Sequence, residues 1–207
     1  MKLSILSSFM LFGSILAAPA STEIEKRGDT VTSVGSIIAT LQNTVQTNVN
    51  DITLLTSTIR GNVEASAQVV AKVSADFDAI AAAFAQATKD IVATTAFGVG
   101  GVITGIGGIT DVQIANLTGA LKATIALLSQ IQAAVTITAS NLSPAAQAAI
   151  KDEVNAVYAA ILPFVAPLTI FASAVAAARV SVSLVVTGLR TAITGLLTVA
   201  SGFTAGI

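Results

Sequence analysis

The chain has 207 residues, 54% of them hydrophobic and only 10% charged, with ten Lys or Arg against eleven Asp or Glu. It has no cysteine and no histidine, which excludes disulfide scaffolds, the common zinc and copper ligand sets, and every Ser-His or Cys-His nucleophile pair. With no stripe of Lys and Arg it offers no electrostatic footprint for nucleic acid.

In chain order, Lys2, the apolar run 3–16 and the small residues Ala17, Ala18 and Ala20 have the form of a secretory leader over 1–20. Glu23 and Glu25 then precede Lys26-Arg27, the form of a short pro-segment, 21–27, trimmed by a Kex2-like protease. The mature domain is expected to span 28–207, with seven basic and nine acidic side chains. That size makes one domain with a core of its own. A soluble chain this apolar either hides its surplus in close helix packing or presents some of it to a hydrophobic partner.

Apolar residues at Val31, Val34, Ile38, Leu41, Val45, Ile52, Leu55 and Ile59 alternate in steps of three and four and predict one long amphipathic helix. Asn48 falls on this seam; either it fixes register, or helix drift turns it to the boundary. A break at Gly61-Asn62 precedes a second stripe, Val63, Val70, Val73, Phe77, Ile80, Phe84 and Ile91, with Lys72, Asp76, Lys89 and Asp90 on other faces. Six of the eleven residues 98–108 are glycine, which disfavours a rigid helix there. Thr110-Asp111-Val112-Gln113 has capping-box form and opens a third helix through Ile114, Leu117, Leu121, Ile125, Leu128, Ile131 and Val135, ending near Ser140. Ser143-Pro144 is a further start signal, with Ile150, Val154, Val157 and Ile161 on one face. Pro163 and Pro167 are then expected to end this helix, leaving a last one over 168–203. The expected fold is all-α, a single bundle of about five long helices with short connections, consecutive helices being antiparallel neighbours.

The leader, the Lys-Arg trim site, the long seam over 31–59, the second helix through Ile91, the Leu142-Ser143-Pro144 restart and the Cys-free, Ala/Val/Ser/Thr-rich composition together resemble the fungal hydrophobic surface binding protein A family, also known as cell wall galactomannoproteins. The family has no catalytic signature, so no functional residue carries over by position. The resemblance implies a secreted or wall-associated, non-enzymatic glycoprotein that adsorbs to hydrophobic surfaces, helps recruit lytic esterases to them, and in related domains holds fatty acid between helices. No cofactor is implied.

The residues by themselves permit a channel for an acyl chain, because Ala, Gly and Val are too small to meet across a bundle. Phe77, Phe84, Leu121, Ile125, Leu128, Tyr158, Ile161 and Phe171 are the candidates for lining it; ordinary core is the competing account of each. Lys122, Arg179 and Arg190, with Tyr158, are the few groups available to a fatty-acid carboxylate, against a role as solvated surface charge. Asn116-Leu117-Thr118 and Asn141-Leu142-Ser143 are N-glycosylation acceptor sequences. Asp76 and Asp78, two positions apart, point to different helix faces, so no metal site is expected. The rival class is an integral membrane protein, since 91–110 and 154–178 carry no charge and are long enough to span. A GPI anchor is the weaker variant of it, because Arg190 interrupts the required tail.

Overall fold

A computed structural model of the chain describes residues 29–59, 65–95, 109–178 and 184–204. The apolar stripes become five α-helices: α1 (Asp29–Thr58), α2 (Ala67–Thr95), α3 (Asp111–Asn141), α4 (Pro144–Ala178) and α5 (Leu184–Ser201), closed by a 3₁₀ turn at Gly202–Thr204. The chain is all-α among the described residues, and the helices form one bundle. The leader, the pro-segment, the Gly61-Asn62 break and the glycine-rich run 98–108 lie outside the described residues.

Local chemistry sets most of the boundaries. Thr110, in an extended conformation, accepts from the Gln113 amide at 3.2 Å while the Gln113 side chain accepts from the Thr110 amide at 2.9 Å, so two free N–H groups of α3 are satisfied reciprocally. At the two-residue joint into α4, Ser143 Oγ accepts weakly from the Ala146 amide at 3.4 Å. Gln147 Nε2 reaches back to the carbonyls of Ala139 and Leu142 at 2.6 and 2.9 Å, tying off the end of α3.

The seam of α1 shifts where the polar residue interrupts it. Val49, not Asn48, enters the core, and Asn48 Nδ2 turns back onto the Thr44 carbonyl at 2.8 Å. Thr56 follows in the seam in place of Leu55, with its hydroxyl on the Ile52 carbonyl at 2.7 Å. The cause is the mismatch between helix and heptad: an ideal helix drifts by about 20° per seven residues, and after two heptads the next residue along has rotated inward.

Two expectations are corrected. Pro163 and Pro167 do not end the fourth helix, which continues to Ala178, and α5 begins at Leu184 instead of near 168. An internal proline costs about 3 kcal/mol. Here Pro163 and Ala159 are both exposed, so the carbonyl that loses its donor can be hydrated. Around the prolines Ile161, Phe164, Val165, Leu168, Phe171, Ala172 and Val175 are all buried, and each large member contributes about 1.5–3 kcal/mol. Burial outweighs the two interruptions.

The second correction concerns neighbours. α1 and α2 are neighbours, as are α4 and α5, but α4 packs chiefly on α2, and α1 packs about as much on α3 as on α2. Ser74–Glu153 and Phe84–Phe164 join α2 to α4 about three turns apart on both helices, so that pair is parallel. Asn141 Nδ2 donates to the Thr56 carbonyl at 3.2 Å, joining the C-terminal ends of α1 and α3, which are also parallel. Lys72–Asp51 joins the antiparallel α1 and α2. α5 packs on both α3 and α4, so the ring order is α1, α2, α4, α5, α3. Consecutive α3 and α4 touch only sparingly, with α5 between them over part of their length.

Phe84 and Phe164 meet edge to face at 5.2 Å in the α2–α4 interface, both wholly buried. Phe84→Ala should lower the unfolding free energy by about 3–5 kcal/mol in denaturant titration, whereas Leu54→Ala on the exposed side of α1 should change it by no more than about 0.5 kcal/mol. Gly35 and Gly119 have open space where a Cβ would stand, while a Cβ on Gly195 would sit 3.1 Å from Ile125 Cδ1. Gly35→Ala and Gly119→Ala should therefore each stabilise by about 0.5–1 kcal/mol, and Gly195→Val should lower the melting temperature by pushing α5 off α3.

Candidate apolar binding surfaces

The structure places the eight candidate lining residues in the packed core. Phe77, Phe84, Leu121, Leu128, Ile161 and Phe171 are fully buried in one continuous cluster, and Ile125 and Tyr158 are packed against it. None of the eight lines a described groove. Ile125 meets the α5 backbone near Gly195, and the Tyr158 ring stands edge to face on Phe203 at 5.3 Å. Beside these two residues the space between α3 and α4 is taken by α5. A charged residue at Phe84 or Leu128 would thus unfold the bundle before it reported on ligand uptake.

Among the described grooves, an apolar one lies between α1 and α2. A groove of about 520 Å³ is lined by Ser36, Ile37, Thr40, Leu41, Thr44, Ala79, Ala82, Ala83, Gln86, Ala87 and Asp90. That volume falls in the usual range of small-molecule sites, about 300–1,000 Å³. Alanines on α2 hold it open because their side chains end before α1. The Ser36 and Thr44 hydroxyls donate to the carbonyls of Thr32 and Thr40, and Gln86 is bound to Asp90 at 2.8 Å. The walls therefore present few unsatisfied donors. The signal for this groove was in the alanine-rich stretch from Ala79 to Ala87, which the apolar periodicity passes over because alanine scores as filler.

The described candidate carboxylate partners lie on different helices. Lys122 is exposed on α3, Arg190 is exposed on α5, and Arg179 lies outside the described residues. Arg190 borders a shallow groove of about 240 Å³ with Ser173, Ala176, Ala177, Ile193 and Thr194. Tyr158 is half-buried, and that burial raises its hydroxyl pKa above the ordinary 10.0.

Lys72 makes one ion pair across to α1 and one within α2. Asp76, assigned from the sequence to an outer face, is buried, with Lys72 as its partner at 3.0 Å and Asp51 on the far side of that ammonium at 3.3 Å. Asp78 faces solvent, and no group of three or more metal-ligating side chains occurs among the described residues. Ser74 Oγ donates to Glu153 Oε1 at 2.7 Å, giving α2 and α4 a polar tie.

The two glycosylation sequences differ in surroundings. Asn116 is exposed on α3, but its Thr118 is buried with the hydroxyl on the Ile114 carbonyl. Asn141 spends its amide nitrogen on the Thr56 carbonyl, so a glycan would compete with the α1–α3 tie.

Of the two uncharged stretches, 91–110 is divided: α2 ends at Thr95 and Thr110 caps α3. The stretch 154–178 lies wholly inside α4. Three helices, α3, α4 and α5, are long and apolar enough to cross a membrane, and in their most apolar windows 39%, 50% and 28% of residues are buried by the bundle. No protein-family model, curated protein or solved structure matches the chain.

Hydrogen bonds from the Lys72 ammonium to Asp76 and then Asp51 raise its pKa above the ordinary 10.5. Both this group and Tyr158 contribute to the pH dependence of folding, and with the same sign, since each has its pKa raised in the folded state. The Lys72 contribution is full below its unfolded pKa and is lost as pH rises through the raised folded one. Burial of Tyr158 disfavours its phenolate, so the folded state also loses ground as pH climbs past the unfolded value of 10.0. Stability should thus decline above about pH 10, and Lys72→Met and Tyr158→Phe should each flatten that decline in melting curves taken across alkaline pH. As the chain has one tyrosine and no tryptophan, near-ultraviolet absorbance should show the phenol titrating above 10.0 in the folded protein and returning to it on unfolding.

Proposed function

We propose that the protein is a secreted or cell-wall-associated, non-enzymatic helical bundle that binds hydrophobic surfaces and the acyl chains of lipids. The observation that supports it is the surplus of apolar surface: helices apolar enough for a bilayer are half or less buried by their own bundle. Burial of that surplus against an apolar phase is favourable by about 25 cal/mol per Å². The α1–α2 groove supplies a place for a single acyl chain, with Ile37, Leu41, Ala83 and Ala87 along it. The leader-like N-terminal sequence and the resemblance to hydrophobic surface binding proteins point the same way, and through them recruitment of a secreted esterase belongs to the proposal. Hydrophobic surfaces, fatty acids and other lipids are the partners.

The same observation favours a second reading, an integral or anchored membrane protein, in which lipid covers α3, α4 and α5. Against it, the bundle is joined through polar ties on both sides of α2, Lys72 with Asp51 and Ser74 with Glu153, and its buried apolar residues form one continuous cluster.

The test is recovery from culture supernatant without detergent, then depletion by polyester or wax particles and lipid identification after organic extraction. The proposed reading expects a soluble species that polyester removes from solution, with bare silica removing far less. Recovery only from detergent-solubilised membranes would replace it with the membrane reading.

A further inference from the structure

We infer that the adsorbing side of the molecule is the outer face of α4 together with α5, and that its partner is a neutral, condensed apolar surface such as wax or polyester; this rests on the function proposed above. The outward side of α4 reads Ala156, Ala159, Leu162, Pro163, Ala166, Ile170, Ser173 and Ala177, all exposed. At 1.5 Å per residue this line runs for about 32 Å without a charged group. α5 lies beside it, antiparallel, with Ser173 and Ala177 sharing a groove with Arg190, Ile193 and Thr194. That register brings Leu197 to the level of Ile170. Leu162, Ile170 and Leu197 are 47%, 53% and 49% exposed, and Leu184 is 92% exposed.

The polar residues of α5 do little to wet this face. The Thr191, Thr194 and Thr198 hydroxyls donate to the carbonyls of Thr187, Arg190 and Thr194 at 3.0, 3.1 and 2.9 Å. Each donor proton is already used inside the helix, so laying the face on an apolar phase leaves no hydroxyl donor stranded at these three positions. Arg190 is the one charge on α4 beyond Glu153 and on α5 among the described residues, and its long stem lets the head stay in water at the rim.

Charge matching selects the partner. Asp51, Lys72, Asp78, Lys89 and Asp90 are carried by α1 and α2, and the exposed charges of α4, Lys151 and Asp152, lie on the N-terminal side of Ala156. Beyond Asp152, a charged partner would have only Arg190 to pair with on the α4–α5 face among the described residues, and an apolar surface leaves the ionic side in water. The face is long, shallow and two helices wide, a shape suited to a plane more than to a single chain.

The experiment uses the full protein and paraffin-coated beads. Ile170→Arg/Leu197→Arg, and the uncharged Ile170→Gln/Leu197→Gln in case the arginines disturb packing, are compared with Leu54→Arg/Val92→Arg, which changes two comparably exposed apolar residues on α1 and α2. Melting curves establish that each variant is folded. Loss of two large apolar contacts should weaken adsorption at least about tenfold in the α4–α5 variants, with the α1–α2 variant within about twofold of wild type. If wild type adsorbs and all variants adsorb equally, or the α1–α2 variant loses as much, the face is wrong while the proposed function stands. If wild type does not adsorb, that function fails and the face with it. A stable dimer in sedimentation that the glutamine variant dissolves would instead make this face a subunit interface and overturn the proposal.

Discussion

The bundle depends on the packing of α4 on two sides at once. Its buried residues cover a wide arc: Ile161, Phe164, Leu168, Phe171 and Val175 are all without exposure, and α4 packs on α2 and on α5. Remove either neighbour and the two internal prolines would have too little burial around them to hold a helix. The Phe84–Phe164 contact fixes the height of α4 against α2, and the Tyr158–Phe203 contact fixes the end of α5 against α4. From these two the ring closes through α3 and α1.

A second constraint follows from the shortage of charge. Soluble helices ordinarily cover their outer faces with charged and polar residues, and this chain has few charges. It uses threonine and serine instead, whose hydroxyls repeatedly donate to the carbonyl one turn back, as at Thr44, Thr53, Thr88, Thr136 and Thr198. A threonine in this arrangement satisfies its own donor and keeps a methyl group beside it. The result is a surface of low charge whose desolvation costs little. This links the composition to the proposed adsorption more directly than any single pocket does.

The two apolar features differ in kind. The α1–α2 groove is concave, walled by alanines and rimmed by Asp90 and Gln86; it suits one acyl chain. The α4–α5 face is extended and rimmed by Arg190; it suits a plane. They lie on different arcs of the ring, so a molecule held by one keeps the other accessible to a lipid.

The sequence by itself determined the helical class, the seam of α1 as far as Val45, most of the seams of α2 and α3, the Thr110 capping box and the Ser143-Pro144 start, because periodicity and caps act within a few residues of each other. It also marked the surplus of apolar residues. It did not determine which core residues surround open space: Phe77, Phe84 and Leu128 read the same whether they face a channel or one another, and the partner across the bundle decides. Only the tertiary structure showed that Asp76 is buried beside Lys72, that α4 runs through Pro163 and Pro167, and that α1 and α3, and α2 and α4, pair in parallel. In each case long-range packing supplies more free energy than the local preference it overrides, and a local pattern carries no record of it.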